Sequence, residues 1–262
     1  MAPELPPRDA VAAPLAATAG GTPQALPTPG APEKAAVRSM FDRIAPRYDL
    51  LNRLLSAGTD VRWRRAAVDF LGLEGPVRVL DLCTGTADLL IEVLGRAPGN
   101  RGAGIDLSRE MLRRAARKLS DRGLSARAAL AAGDAEALPF ADRSFGAALV
   151  AFGVRNVGDV SASLREVRRV LEPGGRFVIL EFSMPPGPLG ALYRLYFGHV
   201  LPRIGALVSG DADAYSYLPA SVARFLSPGA LAALMTEAGF REVACHPLTL
   251  GIAQLYRGTN PA

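Results

Sequence analysis

The run Val77 to Asp88, VRVLDLCTGTAD, constrains this chain more than any other: a short apolar strand ends near an acid and turns through glycine into a helix. Val77, Val79, Leu80 and Leu82 supply a buried β segment, and Gly85 lets the backbone turn sharply and approach a ligand. Such a turn is also an ordinary strand-to-helix connection, so its meaning depends on the next strand of the chain. One helix length later comes Gly102-Ala103-Gly104-Ile105-Asp106, a second apolar strand ending in an acid. A carboxylate about 20 residues beyond a glycine turn, at the end of the next parallel strand, is where a ribose diol is held by paired hydrogen bonds. The two stretches together imply a nucleoside-bearing cofactor.

The dinucleotide fingerprint G-x-G-x-x-G is absent, because the turn reads Cys83-Thr84-Gly85-Thr86-Ala87 before Asp88 opens the helix. An acid at a helix N-terminus repels a pyrophosphate and suits a cationic ligand, such as a sulfonium carrying an amino group. S-adenosyl-L-methionine meets that charge pattern better than a nicotinamide dinucleotide.

Strand and helix alternate from Val77 to about Leu180, which predicts a doubly wound α/β fold, mostly parallel, covered on both faces. Ser108 caps a helix whose inward stripe is Met111, Leu112, Ala115 and Leu119. A third strand is expected near Ala126 to Ala132 and a fourth from Phe145 to Phe152. Leu164, Val167, Val170 and Leu171 mark the next helix, ended by Pro173-Gly174-Gly175 before a fifth strand from Arg176 to Glu181. Ser227-Pro228 opens a last helix that stops at Gly239. Glu242 to Leu248 and Ile252 to Tyr256 then read as an antiparallel hairpin at the C-terminal sheet edge. Between the fifth strand and the last helix, Leu189, Leu192, Tyr193, Tyr196, Phe197, Val200, Leu201 and Ile204 recur at helical spacing. That face fits a core helix, a lid over an apolar substrate, or a surface resting on a membrane.

Composition bounds the rest. With 262 residues and 49% hydrophobic content, the chain suffices for one domain with a large core. Residues 1–34 are crowded with Pro, Ala, Gly and Thr, show no periodic apolar pattern, and are expected to be a disordered tail. Residues 35–262 then form a single domain with N-terminal helices and a helical insertion near 186–226. Glu4, Asp9 and the early prolines deny the tail the character of a signal peptide, so a cytoplasmic location is expected. Cys83, Cys245, His199 and His246 have no ligand spacing, so no metal is expected. The arginines behind the net charge of +5 are scattered, and the densest cluster, Arg62, Arg64 and Arg65 around Trp63, is short. Nucleic acid is therefore not an expected partner. No run of 18 apolar residues is present to span a bilayer.

Several separate stretches, in order, carry a resemblance. Tyr48-Asp49-Leu50-Leu51-Asn52 with Ser56 and Trp63-Arg64, the turn Asp81 to Thr86, Asp134-Ala135-Glu136 through Pro139-Phe140, Phe152-Gly153-Val154-Arg155-Asn156, Arg169 through Gly175, and Leu180-Glu181-Phe182-Ser183 are similar to the ubiquinone/menaquinone biosynthesis C-methyltransferase family. The resemblance spans about residues 36 to 258. It implies the class I fold of S-adenosyl-L-methionine-dependent methyltransferases and methyl transfer to a ring carbon of a prenylated hydroquinone, giving menaquinone or the ubiquinone precursor. It places Asp106 on the ribose hydroxyls, Asp81 in the cofactor-binding loop with Gly85 and Thr86 against the methionine portion, and Asp134 and Ala135 at the adenine. Arg155 would face the acceptor oxygen, with Tyr48 and Asn52 positioning the acceptor. A guanidinium stays protonated, so Arg155 could stabilise an oxyanion while water takes the proton.

Three positions depart from the family pattern: Ala87 where glycine is usual, Gly146 where an acid is usual, and Ala151 where Ser is frequent. If position 87 needs a positive φ, alanine strains the turn; if it lies in the helix, alanine costs nothing. Besides the methyltransferase reading, another phenolic or lipid acceptor and a catalytically silent cofactor-binding scaffold stay open. So do naphthoquinol against benzoquinol, a homodimer, and transient membrane contact through Leu189 to Ile204 with Arg194 and Arg203, which would place the protein on the inner face of the membrane.

Overall fold

Five parallel strands, β1 (Arg78–Leu82), β2 (Arg101–Asp106), β3 (Ala128–Ala132), β4 (Phe145–Ala151) and β5 (Leu171–Phe182), join two antiparallel ones, β6 (Arg241–Leu248) and β7 (Ala253–Thr259), in one sheet. Their order is β3-β2-β1-β4-β5-β7-β6. The computed structural model describes residues 33–185, 187–195 and 212–262. The expected tail lies outside them apart from Glu33 and Lys34, and Lys34 opens the first helix.

The described helices are α1 (Lys34–Ile44), α2 (Tyr48–Leu55), α3 (Thr59–Leu71), α4 (Asp88–Arg96), α5 (Arg109–Asp121), α6 (Val160–Val170), α7 (Gly187–Leu195), α8 (Ala212–Arg224) and α9 (Pro228–Glu237). Strand residues alternate between two cores. Leu80, Leu82, Ala148, Val150, Phe177 and Ile179 pack with Leu164 and Val167 of α6 and Leu231 and Met235 of α9. Val79, Ala147, Leu149, Val178 and Leu180 pack with Trp63, Ala67 and Leu71 of α3 and Leu89 and Val93 of α4. Each fully buried Leu or Ile contributes roughly 1.5–3 kcal/mol, so this burial, rather than helix propensity, holds the layers. Three of the described helices start on side-chain caps: Ser108, Asp159 and Ser227 accept from the backbone N–H groups of Met111, Ala162 and Ala230.

One boundary differs from the sequence reading. Helix α6 stops at Val170, and Leu171 already pairs with Phe145, so Pro173-Gly174-Gly175 bulges within β5 instead of ending the helix. Asn260 explains the difference: its side-chain amide donates to the Leu171 carbonyl at 2.9 Å, and its backbone exchanges 2.8 Å hydrogen bonds with Gly174 and Gly175. A residue some 90 positions away thus satisfies the groups that a helix end would leave open. Most of the aromatic stripe around residues 196–204 lies outside the described residues. Among those described, no single helix is long and apolar enough to cross a membrane.

Because β1 has β2 on one side and β4 on the other, the helices leave the sheet in opposite directions at this point. A crevice at the carboxyl ends of the strands results from that reversal.

Candidate functional site

The crevice is a cleft lined by α1, the turn after β1 and the carboxyl ends of β2 and β4. The turn after β1 forms its floor. Three of its residues take the left-handed region: Cys83 (φ 49°), Gly85 (φ 54°) and Ala87 (φ 65°). For Cys83 and Ala87 that conformation costs roughly 1–2 kcal/mol each, and surrounding contacts hold it. Thr84 N donates to Ile105 O at 3.0 Å and Ala87 N to Thr84 O at 2.8 Å. The turn wedges between two glycines. A Cβ on Gly104 would lie 2.8 Å from Thr84 Oγ1, and one on Gly153 would lie 2.5 Å from Cys83 Cβ. Ala87 therefore bears the strain that a glycine would avoid, while its methyl packs against the cluster of Leu90, Leu94 and Ala115.

Asp81 and Asp106 end neighbouring strands but face different ways. Asp81 lies behind the turn and not on the cleft wall: Oδ2 accepts from Thr84 Oγ1 at 2.6 Å and Leu90 N at 3.2 Å, and the residue is 1% exposed. Burial pushes its carboxyl up to about 7. Asp106 lines the cleft, with one oxygen accepting from Gly85 N at 2.9 Å and the other from Ser108 N at 2.8 Å. Burial raises its pKa against the pull of these two N–H groups. A carboxylate has about four lone-pair sites, so acceptor capacity remains beyond these contacts.

Asp134 and Ala135 line the far end of the cleft. Asp134 holds Lys34 Nζ at 2.6 Å, and Glu136 holds the same ammonium at 2.7 Å while accepting from the N–H groups of Gly158 and Asp159. Lys34, Val37, Arg38 and Phe41 line the cleft from α1. Sequence reasoning missed this wall, although the i, i+3, i+4, i+7 spacing of the four residues is the signature of one helix face. Asp42 fastens the other end of that helix by accepting from Ser108 Oγ at 2.6 Å.

Tyr48 reaches the cleft at the start of α2, its ring edge 3.9 Å from where a Cβ on Gly85 would sit and edge-to-face with Phe41 at 6.0 Å. Enclosure raises the phenol, opposed by its hydrogen bond to Asn52 and the charges of Arg64 and Arg155. Asn52 supports Tyr48 from outside the cleft wall.

Arg155 is likewise off the wall. It forms a buried ion pair with Glu181 at 2.7 Å, donates to Phe152 O, and stacks over Phe182 at 5.4 Å. Glu181 also accepts from Arg155 N at 3.2 Å and Phe182 N at 2.9 Å, so the pair clamps the Phe152–Asn156 turn onto the end of β5. Asn156 does line the cleft, and its side-chain Oδ1 accepts from Tyr217 OH at 2.8 Å.

Two sequence readings change here. Thr86 faces away from the cleft, donating to Asp49 at 2.5 Å and accepting from Lys118 at 3.0 Å. Asp88 is not available to a cationic ligand, because Lys118 at 2.5 Å and Arg64 at 3.9 Å neutralise it. Burial pushes Asp88 up, but those two cations outweigh it and hold the carboxyl below its usual value. The acid at the helix start therefore does not select the ligand, because partners distant in sequence take up its charge. Cys83 lines the cleft as a neutral thiol, since burial and nearby carboxylates push its pKa well above the usual range. Among the described residues no group of three His, Cys, Asp or Glu side chains could hold a metal ion.

Residues 30–260 match the ubiE/COQ5 methyltransferase family. The demethylmenaquinone methyltransferase of Thermus thermophilus is 52% identical over 223 residues, covering 85% of this chain and 100% of that protein. The ubiquinone/menaquinone biosynthesis C-methyltransferase UbiE of Syntrophotalea carbinolica is 50% identical over 222 residues, with 84% and 92% covered. Two solved structures share the fold at low identity. Phosphoethanolamine N-methyltransferase 2 of Haemonchus contortus, in complex with S-adenosyl-L-methionine, superposes with a TM-score of 0.65 at 14% identity over 89% of this chain and 61% of that one. The [4+2]-cyclase SpnF superposes with a TM-score of 0.60 at 20% identity over 88% and 98%. One fold thus carries unrelated reactions, and family membership rests on the sequence match. With the glycine turn, Asp106 and the Phe-Gly-x-Arg-Asn turn gathered at one sheet reversal, and with the match running nearly from end to end of the domain, this chain belongs to the ubiE/COQ5 methyltransferase family.

Proposed function

We propose that the chain transfers a methyl group from S-adenosyl-L-methionine to a ring carbon of a prenylated hydroquinone, with demethylmenaquinol as the acceptor. The observation that carries the reading is Asp106, which lines the cleft with its two oxygens held by Gly85 N and Ser108 N, an arrangement that supports a role in holding a ribose diol. The names of relatives about half identical to this chain supply the acceptor.

The residues present fit the methyl donor. Asp106 would hold the ribose, the left-handed Gly85 would bring backbone against the methionine portion, and Asp134 and Ala135 would take the adenine end. Thr86 and Asp81 act one step back by holding the turn in shape. When bound, the donor supplies an electrophilic methyl on its sulfonium. The chain's own task is orientation, which contributes much of the barrier reduction when two partners are held near contact distance. Tyr48 and Asn156 are the polar groups on the cleft wall best placed to orient a ring hydroxyl. Arg155 shares its charge with Glu181, so it acts by clamping the turn that carries Asn156. Arg155 is then a positioning residue.

A polyprenyl acceptor lives in lipid, so we infer that the protein works on the cytoplasmic face of a membrane, touching it transiently. The test is methyl transfer from label-bearing donor to short-chain demethylmenaquinol and to the matching benzoquinol, with the product located by mass spectrometry. The reading expects the label on a ring carbon of the naphthoquinol. Label on an oxygen, or donor binding without transfer to either quinol, would overturn it.

A further inference from the structure

Tyr217 reaches the site from α8 and stands behind the cleft wall. Its ring packs against the cluster of Met40, Leu51 and Val222, which joins α8 to α1 and α2. A phenylalanine would fill that place as well. What the hydroxyl adds is one hydrogen bond, donated to Asn156 Oδ1 at 2.8 Å. Burial raises the phenol above its usual value, against the pull of Arg155 and Arg224, so the group keeps its proton and stays a donor near neutral pH.

The other end of the Asn156 carboxamide meets the Phe152 carbonyl at 3.5 Å. A carbonyl oxygen can only accept, so the end beside it is the amino group, and the oxygen is the end that meets Tyr217. The Phe152 carbonyl already accepts from the Arg155 guanidinium, and 3.5 Å is at the outer limit of a hydrogen bond. An amide amino group has two N–H donors, and this long contact engages at most one of them. Asn156 is 8% exposed and lines the cleft. A nearly buried donor that is poorly engaged beside a cleft calls for an acceptor on the molecule the cleft holds.

We propose that Tyr217 sets the direction of the Asn156 carboxamide, so that Asn156 offers an N–H, and not a carbonyl, to the ring oxygen of the acceptor. The proposal rests on the quinol acceptor inferred above. The chemistry requires that polarity. A quinol ring carbon becomes nucleophilic as the hydroxyl conjugated with it loses its proton, and negative charge then gathers on the oxygen. An N–H aimed at that oxygen stabilises the charge where it develops, whereas a carbonyl in the same place would repel it. Tyr217 acts through Asn156 and is a positioning residue.

The test compares full-length wild type, Tyr217→Phe, Asn156→Ala, Asn156→Asp and the combined Tyr217→Phe, Asn156→Ala variant, with saturating S-adenosyl-L-methionine and short-chain demethylmenaquinol. Tyr217→Phe is expected to lower kcat by about tenfold and Asn156→Ala by about a hundredfold, with the affinity of Tyr217→Phe for S-adenosyl-L-methionine unchanged. In the Asn156→Ala background, Tyr217→Phe is expected to change nothing further, because no carboxamide is left to orient; lost packing alone would lower the rate equally in both backgrounds. Asn156→Asp is expected to be no faster than Asn156→Ala, since it replaces the N–H with an acceptor. Full rate in Tyr217→Phe, additive losses in the combined variant, or an Asn156→Asp enzyme that works like wild type overturns the proposal. A readout without turnover separates it from the acceptor reading. In nuclear magnetic resonance spectra of nitrogen-labelled protein, the side-chain amide signals of Asn156, identified by their absence in Asn156→Ala, are expected to move in Tyr217→Phe. Signals that stay in place overturn the proposal. Signals that move in a protein whose wild type methylates neither quinol keep the orientation of Asn156 and refute the acceptor.

Discussion

Asp81 and Asp106 show how two acids one strand apart take different work. Asp106 faces the cleft; Asp81 is sealed behind the turn and only 1% exposed. Its folded-state pKa of about 7 stands above the usual 3.8, so the folded protein holds that proton more tightly than the unfolded chain does. The contribution to stability is therefore fully present below about pH 4 and is lost as pH rises through about 7, by as much as about 4 kcal/mol. Asn at this position keeps an acceptor for Thr84 and Leu90 and carries no charge. Asp81→Asn is therefore expected to be more stable than wild type at pH 8, with the advantage shrinking toward pH 5. Urea unfolding of both proteins at the two pH values checks this, and a difference that does not move with pH would count against it.

At the scale of elements, the N-terminal helices belong to the site as much as the strands do. Helix α1 supplies one wall and is fastened at both ends, by Lys34 to Asp134 and Glu136 and by Asp42 to Ser108. Helix α2 is moored through Asp49 to Lys118 and Thr86, in a network that runs on through Asp88 to Arg64 and Asp60 of α3. Lys118 is the hub, with a side chain only about one-fifth exposed. Replacing it with Met leaves Asp49 and Asp88 close together without their shared cation. Breaking a buried pair costs about 3–5 kcal/mol, and partial exposure reduces that, so Lys118→Met is expected to lose about 2–3 kcal/mol. It is also expected to weaken donor binding, because the network shapes the glycine turn and positions Tyr48. Urea midpoints and calorimetry read the two effects, and an unchanged midpoint would show that the network carries no weight.

At the scale of the whole molecule, the parts of the fold legible in the sequence were those that local patterns dictate. Alternating strands and helices gave the parallel sheet, and Ser108, Ser227 and Gly239 marked helix ends by mechanisms that act within a few residues. The place of Asp106 on the cleft was legible because a strand-end acid after a glycine turn is itself a local pattern. What escaped depended on partners distant in sequence: the end of α6 on Asn260, the neutralised Asp88 on Lys118 and Arg64, and the clamped Arg155 on Glu181. The α1 wall escaped although its spacing was visible, because nothing in the spacing says which surface the face meets. These elements converge on one claim, that the cleft at the sheet reversal holds the methyl donor by Asp106. The most direct test is isothermal titration of S-adenosyl-L-methionine into wild type and into a folded Asp106→Ala variant. Loss of two charge-assisted hydrogen bonds to the ribose, each contributing about 1.5–3 kcal/mol, predicts an affinity lower by about a hundredfold or more. Equal affinity in the two proteins would contradict the assignment of the cleft.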